Sequence, residues 1–447
     1  MELPELPEKE KRVVIVGAGF AGLTLAKKLS KEYFQVILLD KNNYHQFQPL
    51  LYQVATAGLE PSSISFPLRK IFQHQQNIFI RIAEVTNVIE DKSIVETTIG
   101  NIHYDYLVLA QGAETNYFGM QDLKQHAFSM KSVSEALLLR NTLLQNYEQA
   151  LITTNEEVKS ALLNIVVVGG GPTGVELAGA IAEMKNKILP KDYPEINFNQ
   201  MKIYLMEAAP RLLNGMSEKS AGDVYDYLHS LDVNVQTGTS VKNYDGHSVI
   251  LSNGKILYTR CLIWAAGIMG SRMDGIPVHS IMQNKRVLVD ENNRVLETEN
   301  IYAIGDLAAM HLPAYPKGHP QVAQAAIQQA KNLAVNLKRL QLKKNLKSFV
   351  YHDKGSMATV GRNLAVAEFS KLQLKGFIAW ILWMAVHLMS IIGIKNRLFI
   401  LINWIWQYVT YDQSLRLIIR PSEKKYKINN NEKNNDPLLI SKHFAGM

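Results

Sequence analysis

The chain has 447 residues, enough for two to three domains, and its 47% hydrophobic and 20% charged composition supports a sizeable core. Its one cysteine, Cys261, excludes an internal disulfide, a catalytic dithiol and an iron–sulfur cluster held by the chain's own thiolates. The net charge of +8 is uneven: residues 331–447 carry +13 and residues 1–330 carry −5, so the C-terminal quarter points to an anionic surface, lipid or nucleic acid.

Residues 1–11 are polar and rich in Glu and Pro, with no apolar core. No signal peptide is expected, so the protein should stay on the side of the membrane where it is made. Residues 12–22 (RVVIVGAGFAG) then read as a buried parallel strand, a glycine loop and a helix start. In this G-x-G-x-x-G pattern Gly17 permits the tight turn and Gly19 lets a pyrophosphate approach the backbone. Gly22 lets helix and strand pack closely. The helix start offers free N–H groups and the positive end of its dipole to phosphates. Asp40, at the end of the next strand, can accept hydrogen bonds from a ribose.

Residues 164–174 (NIVVVGGGPTG) repeat the pattern, with Gly169, Gly171 and Gly174 followed by a helix expected over 175–188. The acid closing the next strand is Glu207, and residues 189–200 are read as a loop that accounts for its late position. Glu207 would pair with a 2′-hydroxyl and repel a 2′-phosphate, favouring NADH over NADPH, although Arg211 could accept that phosphate. Two such sites imply two dinucleotides, a tightly held flavin and an exchanging nicotinamide.

Further on, residues 257–266 (LYTRCLIWAA) read as another buried strand. Residues 300–306 (NIYAIGD) read as a short strand ending in Gly-Asp, and a helix is expected from about 321 to 340. These return the chain to the first domain, with more strands over 349–369. Residues 377–394 carry no formal charge, and a second apolar stretch covers 398–409. Lys371, Lys375, Lys395 and Arg397 flank them, and Trp380, Trp383, Trp404 and Trp406 suit a membrane interface. A helix lying in the interface is the preferred reading; a transmembrane helix or a core or dimer contact are the alternatives. Nucleic-acid binding would explain the charge but not the tryptophans and the apolar face.

The expected fold is α/β, with two Rossmann-like dinucleotide-binding domains, the second inserted in the first, and a C-terminal amphipathic membrane-associating region. The first domain takes residues 10–125 and 291–370. The second takes 126–290, with its core at 160–268. Residues 371–420 form amphipathic anchoring helices and 421–447 a mobile basic tail.

With both loops, the chain resembles the two-dinucleotide-binding-domain flavoproteins, and within them the type II (non-proton-pumping) NADH:quinone oxidoreductases. The runs at 44–55 (YHQFQPLLYQVA), 112–119 (GAETNYFG), 170–179 (GGPTGVELAG), 264–268 (WAAGI), 303–306 (AIGD) and 323–328 (AQAAIQ), with the tail 376–412, carry the resemblance. It implies bound FAD, NADH as exchanging substrate and a membrane quinone, menaquinone or ubiquinone, as acceptor. It also implies a homodimer that is monotopic at the membrane; with no signal peptide expected, this places it on the cytoplasmic face of the cell membrane, and the tail tryptophans argue against a nucleic-acid partner.

By the same resemblance Asp306, with Gly305, would bind the ribityl chain of FAD, and Ala325 counts among the cofactor-binding positions. Glu176, taken as two residues into its helix, would lie near the nicotinamide and flavin rings. Gln324 and Gln328 would line the quinone tunnel, with Pro49, Leu50 and Gln53 shaping the pocket. Spaced by four, Gln324 and Gln328 share a helix face, and neutral amides can hydrogen-bond quinone carbonyls. A solvated Gln-rich face is the plainer alternative, since Gln321 and Gln329 flank them. Glu176 has its own plain alternative, a first-turn Glu favoured by the helix dipole. His45, His311, His319 and His387 lack metal-like spacing, and no metal is expected. Disulfide and sulfide:quinone reductases need paired cysteines. A reductase of an iron–sulfur protein and a redox-sensing scaffold stay open.

Overall fold

The structure is a computed structural model that describes residues 10–30, 34–413 and 415–419. The expectations for residues 1–9 and for the tail 421–447 lie outside the described residues.

The chain opens with β1 (Lys11–Val16), α1 (Phe20–Leu29), β2 (Phe34–Asp40), β3 (Ile78–Ile82) and β4 (Tyr106–Leu109). Helix α2 (Val133–Ile152) leads to a second unit made of β5 (Ile165–Val168), α3 (Pro172–Glu183), β6 (Ile203–Met206), β7 (Val233–Gln236) and β8 (Cys261–Trp264). Strand β9 (Ile301–Ala303) then returns to the first sheet, giving the order β9-β4-β1-β2-β3, all parallel. The second sheet runs β7-β6-β5-β8, also all parallel. The second unit is therefore inserted between two strands of the first.

Why these runs are strands follows from burial on both faces. In β1, Val13 and Ile15 join one core cluster while Val14 and Val16 join another. In β5, Ile165 and Val167 point to one side and Val166 and Val168 to the other. A strand covered on both faces needs no polar alternation, which is why these runs are continuously β-branched. The first sheet is covered by α1 and by α4 (Ala323–Gln341), where Leu25, Ala26 and Leu29 meet Ala330, Leu333 and Leu337.

The last third forms β10 (Ser356–Gly361), β11 (Leu364–Phe369) and β12 (Leu372–Lys375), an antiparallel sheet, followed by α5 (Gly376–Ser390) and α6 (Ile394–Thr410). Gly179 lets β10 lie against α3, because a Cβ there would fall 1.7 Å from the carbonyl oxygen of Val360. Among the described residues no helix is long and apolar enough to cross a membrane.

Four local expectations are corrected. Residues 257–266 are not one strand: Ile256–Tyr258 joins an antiparallel sheet and Cys261–Trp264 the parallel one. Thr259 marks the break, its buried hydroxyl donating to the carbonyl of Asn164. The helix expected over 175–188 starts at Pro172, whose missing N–H costs nothing at a helix start. Its α-helical part ends at Glu183 and widens into a π turn over Met184–Ile188. The expected loop 189–200 contains two helical turns, Leu189–Asp192 and Phe198–Gln200, held by buried Leu189, Ile196 and Phe198. Finally, the uncharged run 377–394 is broken after Ser390, so the two tail helices have 15 and 17 residues.

Candidate active site

The two glycine loops have the same geometry. Gly17 and Gly169 lie at φ +100° and +113°, where an L side chain is strained. Their N–H groups donate to the carbonyls of Leu39 and Met206, each at 2.7 Å. A Cβ on Gly22 would sit 1.8 Å from the carbonyl oxygen of Gly17, and one on Gly174 1.9 Å from that of Gly169. Gly19 and Gly171 are different: no protein atom lies within 4 Å of where their Cβ would be. The third glycine of each loop thus closes helix on strand, and the second leaves open space at a helix N-terminus.

Asp40 and Glu207 also play one part. Asp40 accepts the N–H of Ala18 and of Asn42, both at 2.7 Å. Glu207 accepts the N–H of Gly170 at 2.5 Å and of Ala209 at 2.7 Å. Each carboxylate ties the middle of its glycine loop to the strand end. Arg211 donates to the carbonyl of Asn214, and its Nη1 is buried without a partner.

Beyond the first loop lies a set of polar groups that the described residues leave unmet. Both amide atoms of Gln111 are buried without a hydrogen bond. The carboxylate of Asp306 has no hydrogen-bond partner; burial raises its pKa, opposed by the charges of Lys131 and Arg286. Gly305, at φ +76°, donates its N–H to Gln329 Oε1 at 2.7 Å, which fixes the Gly-Asp turn. Buried polar groups rarely stay unpaired. Unmet Gln111 and Asp306, beside an open loop, fit a ligand carrying a diphosphate and hydroxyls, as FAD does.

A cavity opens where α3, the short helix Leu51–Ala55, β10 and the two tail helices meet. Tyr52, Gln53, Glu176, Glu183, Trp383 and Trp404 line it, and exposed Lys187, Tyr408 and Tyr411 stand at its mouth. Glu176 is 8% exposed, and burial pushes its pKa up to about 8 against hydrogen bonds from the Thr359 backbone and the Trp383 indole. It is the fifth residue of α3, not the second, and the first-turn explanation fails for it. Glu183 lies seven residues on, along the same face, and accepts the N–H of Arg362 at 2.6 Å. Arg362 stacks on Tyr411, 3.5 Å from its ring centre, and donates to carbonyls at the end of α6.

Of the residues singled out by sequence, Gln53 and Glu176 share this cavity. Leu50 is buried, and Pro49 is the middle residue of the 3-10 turn that precedes the short helix Leu51–Ala55. Gln324 and Gln328 do share one face, but their amides are engaged elsewhere. Gln324 bonds the carbonyl of Gly355 and the N–H of Lys354, and Gln328 both backbone groups of His352. Ala325 is buried in the first turn of α4. Sequence reasoning missed Tyr52, Trp383, Trp404 and Gln329. It also assigned all four tail tryptophans to the surface: Trp383 and Trp404 are 1% and 8% exposed and face inward. His387 stacks on Trp383 with ring centres 4.0 Å apart. Cys261 is buried and its thiol pushed up to about 12, so it is no nucleophile. Among the described residues no three His, Cys, Asp or Glu side chains are grouped to hold a metal ion.

Two dinucleotide cradles, one nested in the other's sheet, define the pyridine nucleotide-disulphide oxidoreductase fold, and the sequence pattern of that family matches residues 11–330. The NDH2 C-terminal domain matches residues 353–410. The type II NADH:quinone oxidoreductase Ndh of Mycobacterium tuberculosis is 35% identical over 417 residues, 89% of this chain and 88% of that protein. The external NADH-ubiquinone oxidoreductase 2 of Saccharomyces cerevisiae mitochondria is 30% identical, covering 89% of this chain and 80% of its own. NDH2 from Plasmodium falciparum in complex with NADH superimposes with a TM-score of 0.83 at 25% identity, over 92% of this chain and all of that one. The chain belongs to the type II NADH:quinone oxidoreductases.

Proposed function

We propose that this chain oxidises NADH on bound FAD and passes two electrons to a membrane quinone, without pumping protons. The observation that carries the reading is the cavity, which joins α3 of the nicotinamide-binding unit to the two tail helices. FAD supplies the two-electron exchange between nicotinamide and quinone. The chain's own residues bind, orient and shield. Open space at Gly19, with the start of α1, would hold the FAD pyrophosphate, and Asp306 its ribityl hydroxyls. Gly171 and the start of α3 would do the same for NADH. Glu207, held at the strand end by the Gly170 N–H, would meet the ribose 2′-hydroxyl and repel a 2′-phosphate, which favours NADH. Glu176 offers a hydrogen bond to the acceptor, Gln53 shapes the cavity wall, and the tail indoles exclude water. Gln324 and Gln328 would bear on the quinone only indirectly, by holding the 352–355 backbone that leads into β10 at the cavity wall.

The same reading makes the outer faces of α5 and α6 a membrane surface. Ile378, Met389, Leu398, Phe399, Ile402 and Trp406 are all more than half exposed there. Lysines and arginines around them suit anionic headgroups. A homodimer on the cytoplasmic face, with the second domain spanning 126–290, completes the proposal.

The test uses purified protein, NADH and a short-chain quinone. NADH should bleach the flavin and the quinone should restore it with sustained turnover. Bleaching without reoxidation by quinone would refute the acceptor.

A further inference from the structure

NADH brings two electrons and one hydrogen to a quinone, so the second hydrogen of the quinol must come from water as a proton. Three side chains in the cavity bear on its delivery. Trp404 donates its indole N–H to Gln53 Oε1 at 2.9 Å. An indole can only donate, so Gln53 must turn its oxygen toward Trp404. Its Nε2 then faces Tyr52 and donates to the phenol oxygen, also at 2.9 Å. The Tyr52 oxygen is thereby held as an acceptor, and no described group accepts its own hydrogen. Tyr52 is only 6% exposed, lies in the turn of helix Leu51–Ala55, and packs its ring edge-on against Trp383. Its hydroxyl is a donor with nowhere to go but the cavity.

We propose that Tyr52 hydrogen-bonds a carbonyl oxygen of the quinone and delivers a proton to it, with Gln53 and Trp404 as positioning residues that aim the hydroxyl. This rests on the quinone reading above. As the electrons arrive, the Tyr52 O–H bond breaks and an O–H bond forms on the quinone oxygen. The phenolate left behind takes a proton from Glu176, which shares the cavity and is neutral at pH 7 because burial pushes its pKa up to about 8. Solvent at the mouth, beside Lys187, returns the proton to Glu176. The tail helix α6 thus does more than meet a membrane: its Trp404 decides which way a catalytic hydroxyl points.

The experiment uses the full-length holoprotein with a short-chain quinone. Bleaching of the flavin by NADH is followed separately from its reoxidation. Tyr52→Phe should leave the bleaching rate within twofold and slow reoxidation roughly 100-fold at saturating quinone. The solvent deuterium effect on reoxidation should change with it. Trp404→Phe, which removes the indole N–H together with part of the ring, should slow the same step about tenfold, with KM for quinone within twofold. In the Tyr52→Phe background it should add nothing, because it acts through that hydroxyl. A Tyr52→Phe protein reoxidised at the wild-type rate with an unchanged deuterium effect overturns the proposal. So do additive losses in the double variant, the mark of a merely structural role for Trp404. A wild-type protein bleached by NADH but never reoxidised by quinone defeats the acceptor reading instead.

Discussion

The indole N–H of Trp383 donates to the carboxyl of Glu176 across 3.3 Å, joining the first tail helix to the helix that follows the second glycine loop. Residues 207 positions apart, on elements that sequence assigns to different tasks, share one buried hydrogen bond. Burial is the main cause of the raised pKa of Glu176, and the indole works against it.

That shift sets a pH dependence of stability. The folded protein holds the Glu176 proton up to about pH 8, whereas an unfolded Glu releases it near pH 4.3. The folded state therefore gains from this group below about pH 4 and loses that gain as pH rises through about 8. Glu176→Gln cannot titrate, so its stability relative to wild type should climb across that window and level off above it. The upper bound on the climb is about 5 kcal/mol. Thermal unfolding of both proteins from pH 5 to 9 measures it, and a pH-independent difference would refute the neutral carboxyl.

The glycine loops predict two kinds of failure. Gly22→Ala places a methyl group 1.8 Å from the Gly17 carbonyl, so backbone must move. It should destabilise the protein by about 3 kcal/mol or more. Gly19→Ala meets no protein atom within 4 Å, so the fold should stand while the pyrophosphate is pushed away. Unfolding in urea and the visible flavin spectrum separate the two. A yellow Gly19→Ala protein with wild-type flavin affinity would remove the first loop from the FAD site.

Glu207 should set the nicotinamide preference. Both its oxygens accept backbone N–H groups, so the carboxylate is held at the strand end. Glu207→Gln keeps one acceptor and removes the charge. The ratio of kcat/KM for NADPH to that for NADH should rise about tenfold, which is 1.4 kcal/mol. An unchanged ratio would place the 2′ position elsewhere.

How far residues speak from sequence depends on whether their neighbours are near in the chain. The cradles were legible because Gly17, Gly19, Gly22 and their repeat act within a single strand–turn–helix unit. Asp40 and Glu207 were legible because they end the adjoining strand. The cavity was not, because its walls come from residues near 52, 176, 360, 383 and 404. An apolar tail also reads alike whether its tryptophans face lipid or protein, so Trp383 and Trp404 were placed on the wrong side. For Gln324 and Gln328 spacing gave the shared face, but nothing local foretold that the 352–355 backbone would occupy it.

The tail helices can be separated into a wall and a surface. Deleting residues 376–447 would remove Trp383 and Trp404 with the outer face, so loss of quinone activity would say nothing about membranes. Ile402 and Ile405, 53% and 56% exposed, point away from the cavity and touch neither tryptophan's hydrogen bond. Replacing both with Asp forfeits roughly 3 kcal/mol or more of apolar burial in a lipid interface and adds charge that anionic headgroups repel. Binding to vesicles containing phosphatidylglycerol, measured by sedimentation, should fall at least about 100-fold. Turnover with a water-soluble quinone should stay within twofold of wild type, since the cavity wall is intact. If the double variant still sediments with vesicles, the face of α5 and α6 is not what meets the membrane.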